Sequence, residues 1–578
     1  MAKSEIRNPS WYHALAAALL ILAAYLFIAA QSTLWDRDEP RFAQATLEMI
    51  ESGDYMVPTF EGELRPDKPV GIYWLMALAV SVLGPTELAF RLFTCVGAAG
   101  ACFNTYLIGR RLIDARTGLW AMAIMASTLT LSVIGTFATA DGVLLFFTSG
   151  AMAVFIHAIT DRWRWWHGLL MGLMLGGALL IKGPPGLLPV VAMLTIAAAA
   201  LRQMRWASLA LHLAIALCIG IAIFLAWAIP ANLATGGEFA RRGLGHHVIN
   251  RMVSPAEGHG RNYLPLLPFY FIAVIIGFFP WMLHLPGGVS ALLGGRLRIG
   301  GGHKPGHASP LAWPGSPRGE GAATSLRLIL LAWIIPIFLV MTLIVTKLAH
   351  YILPIWPALA VLAAATIGAK ERNELSDWDR RWLRGGVWFF TPVAIALAGG
   401  IAIVPPLIDF PVLRWLGPVF GLMLLIWALA LTMLQLKERV HASAMLALGG
   451  AAVFGIVLWG AVVPQVEPLI KLSPAIARII HAHSSPTTEV RQHGYAEPSL
   501  TFYARRGPVQ DLATAQDIRT WSQRHEPGVL VIDKARLEQI QGRDGPLSLT
   551  TLGTVQGINT NARGKPVEVV VMSRSSGH

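Results

Sequence analysis

The sequence predicts an all-α polytopic membrane domain followed by a small α/β domain. Three observations predict it. The 578 residues are 54% hydrophobic and only 14% charged, whereas soluble domains carry about 25% charge. Roughly thirteen apolar stretches are long enough to cross a bilayer. Beyond residue 465 the pattern changes to short strand-like runs and one amphipathic segment. The expected division is therefore 1–465 for the membrane domain and 466–578 for the tail.

The net charge of +13 fits either a nucleic-acid partner or basic loops that set membrane topology. The basic residues sit between apolar segments, which favours topology, and no nucleic-acid partner is expected. Cys95, Cys102 and Cys218 lie in apolar stretches, with neither a disulfide framework nor zinc-site spacing.

The first apolar run, 12–31, has no A-x-A-like cleavage site after it and reads as a retained span. "WDRDEPRF" follows (35–42). Asp38 is suited to cap a helix and Pro40 to its first turn. "RFAQATLEMIESG" then reads as an amphipathic helix ending at Gly53. The apolar piece 70–84 is short and reads as re-entrant or interfacial. The remaining expected spans are 87–109, 117–136, 141–160, 165–181, 185–201, 207–229, 264–285, 327–346, 350–368, 386–405, 412–434 and 442–463. The Gly/Pro-rich basic stretch 286–326 reads as a flexible linker. In the tail, "PGVLVID" and "PVEVVVMS" read as strands and "LATAQDIRTWSQRH" as an amphipathic helix. The tail carries no obvious catalytic set.

With Lys3 and Arg7 in the cytoplasm, alternate loops carry "RRLIDAR", "DRWRWWH", "LRQMRW", the 286–326 linker, "KERNELSDWDRRWLR" and "LKERVH". These loops hold more Lys and Arg than the other set, so the positive-inside rule supports this orientation. The odd span count puts the tail outside.

Ionisable residues on the outer loops are not needed for topology, and near the membrane they mark functional candidates. Asp38 and Glu39 open the first helix, and Glu39 is less needed for a cap. Lys68 precedes Pro69 and "IYW"; it reads as a snorkelling lysine or as a cation beside an anionic headgroup. Asp141 begins a span and reads as a cap or a pocket acid. Lys182, in "LLIKGPPGLLP", reads as snorkelling or as pocket-lining. The 230–263 loop holds Arg241, Arg242, His246, His247, Arg251, His259 and Arg261. Adjacent histidines invite a zinc reading. Without matching Cys or carboxylates, a phosphate-binding surface fits better. Lys347 and Tyr351, four apart at a helix start, would share a face.

Two acids, several cations and aromatics thus gather on one side, at the lipid boundary. That describes a pocket for an anionic lipid headgroup with a carboxylate nearby. The sequence has no Walker A loop and no dinucleotide fingerprint, so an activated substrate delivered through the bilayer is expected.

In family order, the chain has "D-E-P-R-F" after the first span, "K-P" with "YW", a span opening on Asp141, "K-G-P-P-G-L" and "K-L-A-H-Y-I-L-P". The tail has "GYAEPSLTFYARRGPV" (494–508). These motifs resemble the bacterial aminoarabinose transferases, which belong with the protein O-mannosyltransferase-like, C-type-fold glycosyltransferases. The family usually has "E-K-P-P-L" where this chain has "DKPVG", and Arg251 is matched only through "HHVINRM".

The resemblance implies the C-type glycosyltransferase fold and an undecaprenyl-phosphate-linked sugar donor, with lipid A or a related lipid or glycan as acceptor. It implies Asp38, with Glu39, at the catalytic centre. Lys68 would meet the donor phosphate, assisted by Arg251, Tyr351 and Lys347, and Asp141 and Lys182 would line the pocket. No cofactor is implied and no essential metal is expected. The implied location is the bacterial inner membrane, with the N-terminus cytoplasmic and the tail periplasmic. The alternatives are the same chemistry on a protein Ser/Thr or another glycan, and a flippase or transporter that releases the lipid-linked sugar intact. Transporters place charges near the bilayer midplane, often on repeats; here the candidates lie at span ends and no repeat is seen.

Overall fold

The structure, a computed structural model, describes residues 11–199, 205–243, 245, 268–297, 320–407, 411–559 and 565–574. Among these, ten helices are long and apolar enough to cross a membrane, the first at Trp11–Ala29 and the last at Val440–Ile470. An eleventh arises if Phe269–Gly277 and Trp281–Leu293, bent by 103°, form one span.

Three expected spans differ, each because hydropathy does not register a break in an apolar run. The 117–136 stretch divides into Ala115–Ala126 and Leu129–Ile134. The described part of the 185–201 stretch divides into one turn of 3-10 helix at Pro184–Leu187 and a helix over Leu188–Ala199, and residues 200 and 201 lie outside the described residues. Residues 264–267 of the 264–285 stretch lie outside the described residues, and the rest becomes the bent pair, with Pro280 at the corner; a proline lacks the N–H that would carry the helix through. The expected linker 286–326 is also narrower. A helix runs to Leu293, another begins at Glu320, and 298–319 lies outside the described residues.

Several helix ends follow directly from sequence. Thr86 accepts a hydrogen bond from the Ala89 N–H to open Glu87–Leu112, and Asp114 accepts from Thr117 to open Ala115–Ala126. Both are side-chain caps that satisfy otherwise orphaned N–H groups. Helix Asp38–Ser52 ends on Gly53 at φ 72°, the left-handed stop that glycine adopts without strain. The short apolar helix Gly71–Leu83 follows a hairpin in which β1 (Thr59–Phe60) pairs antiparallel with β2 (Glu63–Leu64).

Helices Glu87–Leu112, Asp141–Thr160 and Trp165–Lys182 pack in series. Gly97 and Gly142 permit a close crossing of the first two. A Cβ on Gly97 would come within 2.7 Å of the Val143 Cα, and one on Gly142 within 2.7 Å of the Thr94 carbonyl oxygen. Small residues at such crossings let helix backbones approach, and this one fixes where Asp141 stands.

After Ile470 the chain forms helix Ser473–His483 and a five-stranded mixed sheet. Its strands are β3 (Glu489–His493), β4 (Gln510–Asp511), β5 (Gly528–Asp533), β6 (Thr550–Asn559) and β7 (Lys565–Arg574), in the order β4-β3-β5-β7-β6. β3 is parallel to β4 and β5, and β7 is antiparallel to β5 and β6. The expected strands fall on β5 and β7, and the expected amphipathic helix forms over Ala515–Ser522. Helix Pro498–Ala504 leaves this sheet and lies against helix Asp38–Ser52.

Candidate active site

The first loop is anchored from below by an arginine. Arg91 and Glu39 are each 1% exposed. The Arg91 Nε and Nη2 donate to the two Glu39 oxygens at 2.7 Å each. Its remaining N–H groups reach the carbonyls of Ala29 (2.7 Å), Ser32 (2.6 Å) and Thr33 (2.8 Å). All five guanidinium donors are thus engaged. Glu39 also accepts from the backbone N–H of Trp35 (2.7 Å) and of Ala138. This corrects the expectation of a catalytic Glu39: its oxygens are closed in by Arg91 and the backbone, and it ties the first loop to the segment before Asp141.

Asp38 stands apart from this anchor. It occupies the first helical position, is exposed, and makes no capping bond; the cap position falls on Arg37. The capping explanation of Asp38 therefore fails. Its carboxylate sits at a helix N-terminus, where negative charge is favoured, within electrostatic reach of His350 and Arg65.

The cations gather beside it. Lys182 donates to Asp141 Oδ1, and His350 Nε2 lies 3.7 Å from Asp141 Oδ2. Lys182 Nζ is 4.9 Å from the centre of the Tyr351 ring, and the His350 and Tyr351 rings meet edge to face at 5.0 Å. Asp67, Lys68, Asp141, Lys182, His350 and Tyr351 line one cavity of about 260 Å³. The rest of its lining is largely apolar, with Leu144, Leu145, Leu188, Val340 and Ile344. Charged and apolar groups in one cavity suit an anionic headgroup on a hydrocarbon chain. Neither Asp141 nor Lys182 takes its simpler role. Asp141 makes no capping bond, and Lys182 turns inward to Asp141 instead of snorkelling.

Two other expected residues part from this cluster. Lys347 is 4% exposed; its ammonium donates to the carbonyls of Met341 (3.2 Å), Thr342 and Ile344. It closes the C-terminal end of helix Glu320–Leu343, where positive charge is favoured. The chain at Lys347 is not helical and Tyr351 lies in a 3-10 turn, Ala349–Ile355, so the two do not share an α-helical face. Arg251, with His246, His247, His259 and Arg261, lies outside the described residues.

The tail closes over the first loop. Asp36 accepts from the Ser499 N–H (3.0 Å) and from the Ser499 hydroxyl. Tyr503 Oη accepts from the Leu34 N–H (2.8 Å) and donates to Glu87 (3.1 Å), and Thr501 donates to Glu61 at 2.5 Å. Lys471 donates to the Thr33 carbonyl at 2.5 Å, with its ammonium 3.9 Å from the Trp35 ring centre. Burial raises the Asp36 carboxyl, offset in part by the Ser499 bonds, and lowers Lys471 to about 8.

Against known proteins, residues 67–228 match the profile of the dolichyl-phosphate-mannose-protein mannosyltransferase family. That segment holds Lys68, Asp141 and Lys182 of the cavity. Among curated relatives, an undecaprenyl phosphate-alpha-4-amino-4-deoxy-L-arabinose arabinosyl transferase of Pectobacterium atrosepticum is 29% identical, over 64% of this chain and 60% of its own length. One from Pseudomonas aeruginosa is 30% identical over 46% and 49%. The chain thus spans 60%, 65% and 58% of three such relatives. Among solved structures, ArnT from Cupriavidus metallidurans bound to undecaprenyl phosphate superposes with a TM-score of 0.74, covering 98% of each chain at 19% identity. The chain has the ArnT fold. The apo form of the same ArnT gives 0.72 with the same coverage.

The ArnT fold extends through the tail, as the sequence resemblance implied. Within it, sequence reasoning missed Arg91, His350, Asp36 and Ser499. Arg91 carried a signal, a lone arginine inside an apolar span. His350 and Ser499 lie inside the quoted motifs "KLAHYILP" and "GYAEPSLTFYARRGPV", but their partners, Asp141 and Asp36, are hundreds of residues away.

Proposed function

We propose that this membrane protein transfers a sugar, 4-amino-4-deoxy-L-arabinose, from undecaprenyl phosphate to a lipid A phosphate or a related extracytoplasmic acceptor. The observation that carries the reading is the single cavity that joins Lys68, Lys182, His350 and Tyr351 to an apolar lining, with Asp38 in electrostatic reach. The names of the curated relatives support the sugar and carrier. The proposed setting is the bacterial inner membrane, with the N-terminus cytoplasmic and the site and tail periplasmic. The chain works as two units, a transmembrane glycosyltransferase domain of 1–465 and a soluble domain of 466–578.

In this reaction an acceptor oxygen attacks the anomeric carbon, and the bond from that carbon to the carrier phosphate breaks. The bonding electrons leave with undecaprenyl phosphate as a monoester, and direct attack inverts the anomeric centre. Lys68 and Lys182 stabilise the charge that develops on the departing phosphate, which is where fixed charge lowers a barrier most. Tyr351 packs beside that phosphate, and Arg251 is assigned to it by motif. Asp38 takes the proton of a hydroxyl acceptor or orients a phosphate acceptor.

The test is product analysis with purified protein, labelled lipid-linked sugar and lipid A. Labelled lipid A supports the reading. Label on protein Ser/Thr or another glycan moves the acceptor. Donor carried across a vesicle membrane intact, with no product, overturns the enzyme reading in favour of a flippase.

A further inference from the structure

On the membrane face opposite the candidate site, two clefts flank one short amphipathic helix. Helix Trp356–Glu371 starts beside Tyr351 and runs roughly 24 Å away from it at 1.5 Å per residue. Helix Asp377–Gly385 follows at that far end. Its inner side is fixed: Leu383 is fully buried, and Asp379 takes Ser290 (2.7 Å) and Arg296 (3.1 Å). Its outer side shows Trp378 at 58% and Trp382 at 43% exposure, and Trp388 follows at 81%. Tryptophans so exposed on a membrane protein mark the headgroup level.

The two clefts differ in the state of their arginines. One, of about 800 Å³, is lined by Trp378, Trp382, Phe389 and Arg296; Arg296 is neutralised by Asp379. The other, of about 910 Å³, is lined by Arg381, Arg384 and Trp388 at one end and by Ile395, Ala396 and Leu436 further along. Among the described residues Arg381 forms no hydrogen bond or ion pair. Arg384 is 3.6 Å from Glu438, a carboxylate already bonded to Lys370. This cleft has apolar walls of acyl-chain character, and at the headgroup level its Arg381 has no ion pair among the described residues while its Arg384 shares Glu438 with Lys370.

We propose that the Arg381–Arg384–Trp388 cleft is a binding site for an anionic glycerophospholipid. The phosphate meets Arg381 and Arg384, since guanidinium groups bind phosphate oxygens at two points. One acyl chain lies along Ile395, Ala396 and Leu436. The neighbouring cleft, with its arginine paired, has no such preference. The site is separate from the donor cavity and does not depend on the transfer reaction.

The experiment is native mass spectrometry of the delipidated full chain titrated with cardiolipin, phosphatidylglycerol and phosphatidylethanolamine. Wild-type protein is expected to retain the two anionic lipids over phosphatidylethanolamine. An arginine near the surface contributes about fivefold in affinity for anionic lipid. Arg381→Gln is thus expected to lose about fivefold and Arg381→Gln/Arg384→Gln about 25-fold, with phosphatidylethanolamine binding unchanged. Arg381→Gln removes no hydrogen bond or ion pair among the described residues, so it keeps the test readable if the double variant fails to fold. The inference is overturned if wild type shows no anionic preference, or if Arg381→Gln leaves the preference intact.

Discussion

The Glu39 carboxylate and the Arg91 guanidinium form a two-point ion pair at 2.7 Å per contact, with each side chain 1% exposed. Removing one member of a buried pair leaves the other uncompensated and costs about 3–5 kcal/mol. Arg91→Met is therefore expected to lower the melting temperature sharply and to reduce the yield of folded protein. Arg91→Lys keeps the charge, but an ammonium has three donors where five are used, so it recovers only part of the loss. A melting temperature within a degree or two of wild type in Arg91→Met would show that the pair does not anchor the first loop.

Asp38 is now separated from Glu39 in role. Since Asp38 makes no cap bond, Asp38→Asn removes a charge and little structure. With a hydroxyl acceptor, single-turnover transfer is expected to fall by roughly 10²–10⁴-fold, the usual worth of general base catalysis. With a phosphate acceptor, ionised near neutral pH, the fall is expected to be smaller. In both cases donor binding and melting temperature stay near wild type. Normal turnover in Asp38→Asn protein removes Asp38 from the chemistry.

Lys182 and Asp141 make opposite errors when changed singly. Lys182→Met leaves a buried carboxylate without its main partner, and Asp141→Asn releases Lys182 toward the cavity. Melting temperatures are expected to rank wild type above Lys182→Met, with Asp141→Asn/Lys182→Met recovering part of the loss, because replacing both members of a buried pair is tolerated better than breaking it. Both variants that lack Lys182 are expected to bind undecaprenyl phosphate more weakly. If the double variant is less stable than Lys182→Met, the two residues are not a structural pair.

The legible part of this protein was its local chemistry. The first helix stops at Gly53 because glycine alone accepts that conformation cheaply, and β5 and β7 are runs of buried β-branched residues. Asp141, Lys182, Lys68 and Tyr351 were each legible as ionisable or amphipathic groups at span ends, and they line one cavity. What stayed hidden was pairing across distance. Glu39 looked free because Arg91 is 52 residues away in the chain. Lys347 looked like a phosphate ligand because sequence does not show that helix Glu320–Leu343 ends beneath it with open carbonyls. β6 was missed because much of it faces solvent, so it lacks the apolar run that revealed its neighbours.

Lys471 gives a pH signature. Burial lowers its folded-state value to about 8 from the ordinary 10.5. Below pH 8 both folded and unfolded chains hold the proton, and the burial cost is present in full. Between about 8 and 10.5 the folded chain gives it up first, so the unfolded chain binds more protons and stability rises with pH. The melting temperature of wild type relative to Lys471→Met is therefore expected to increase from pH 7.5 to pH 10. A constant or shrinking difference would mean that Lys471 stays charged in the folded protein, held by Glu467 and the Trp35 ring.

The tail's role can be read from Ser499. Two bonds from this residue hold Asp36, and Asp36 lies two positions before Asp38 at the head of the same helix. Ser499→Ala removes the hydroxyl bond and keeps the backbone one. The Asp36 carboxylate then stays buried with one partner fewer, a loss of about 1.5–3 kcal/mol for a bond to a charged group. Because Ser499 does not line the donor cavity, the affinity for undecaprenyl phosphate is expected to remain at the wild-type level. Single-turnover transfer should fall several-fold, since a small misplacement of a catalytic group is costly, and Ser499→Thr, which restores a hydroxyl, should recover part of it. A purely structural role predicts a different pattern: a lower melting temperature with normal transfer in the folded fraction. That pattern would reduce the tail to a stabilising cover, whereas loss of transfer with donor binding intact would make it part of the device that positions Asp38.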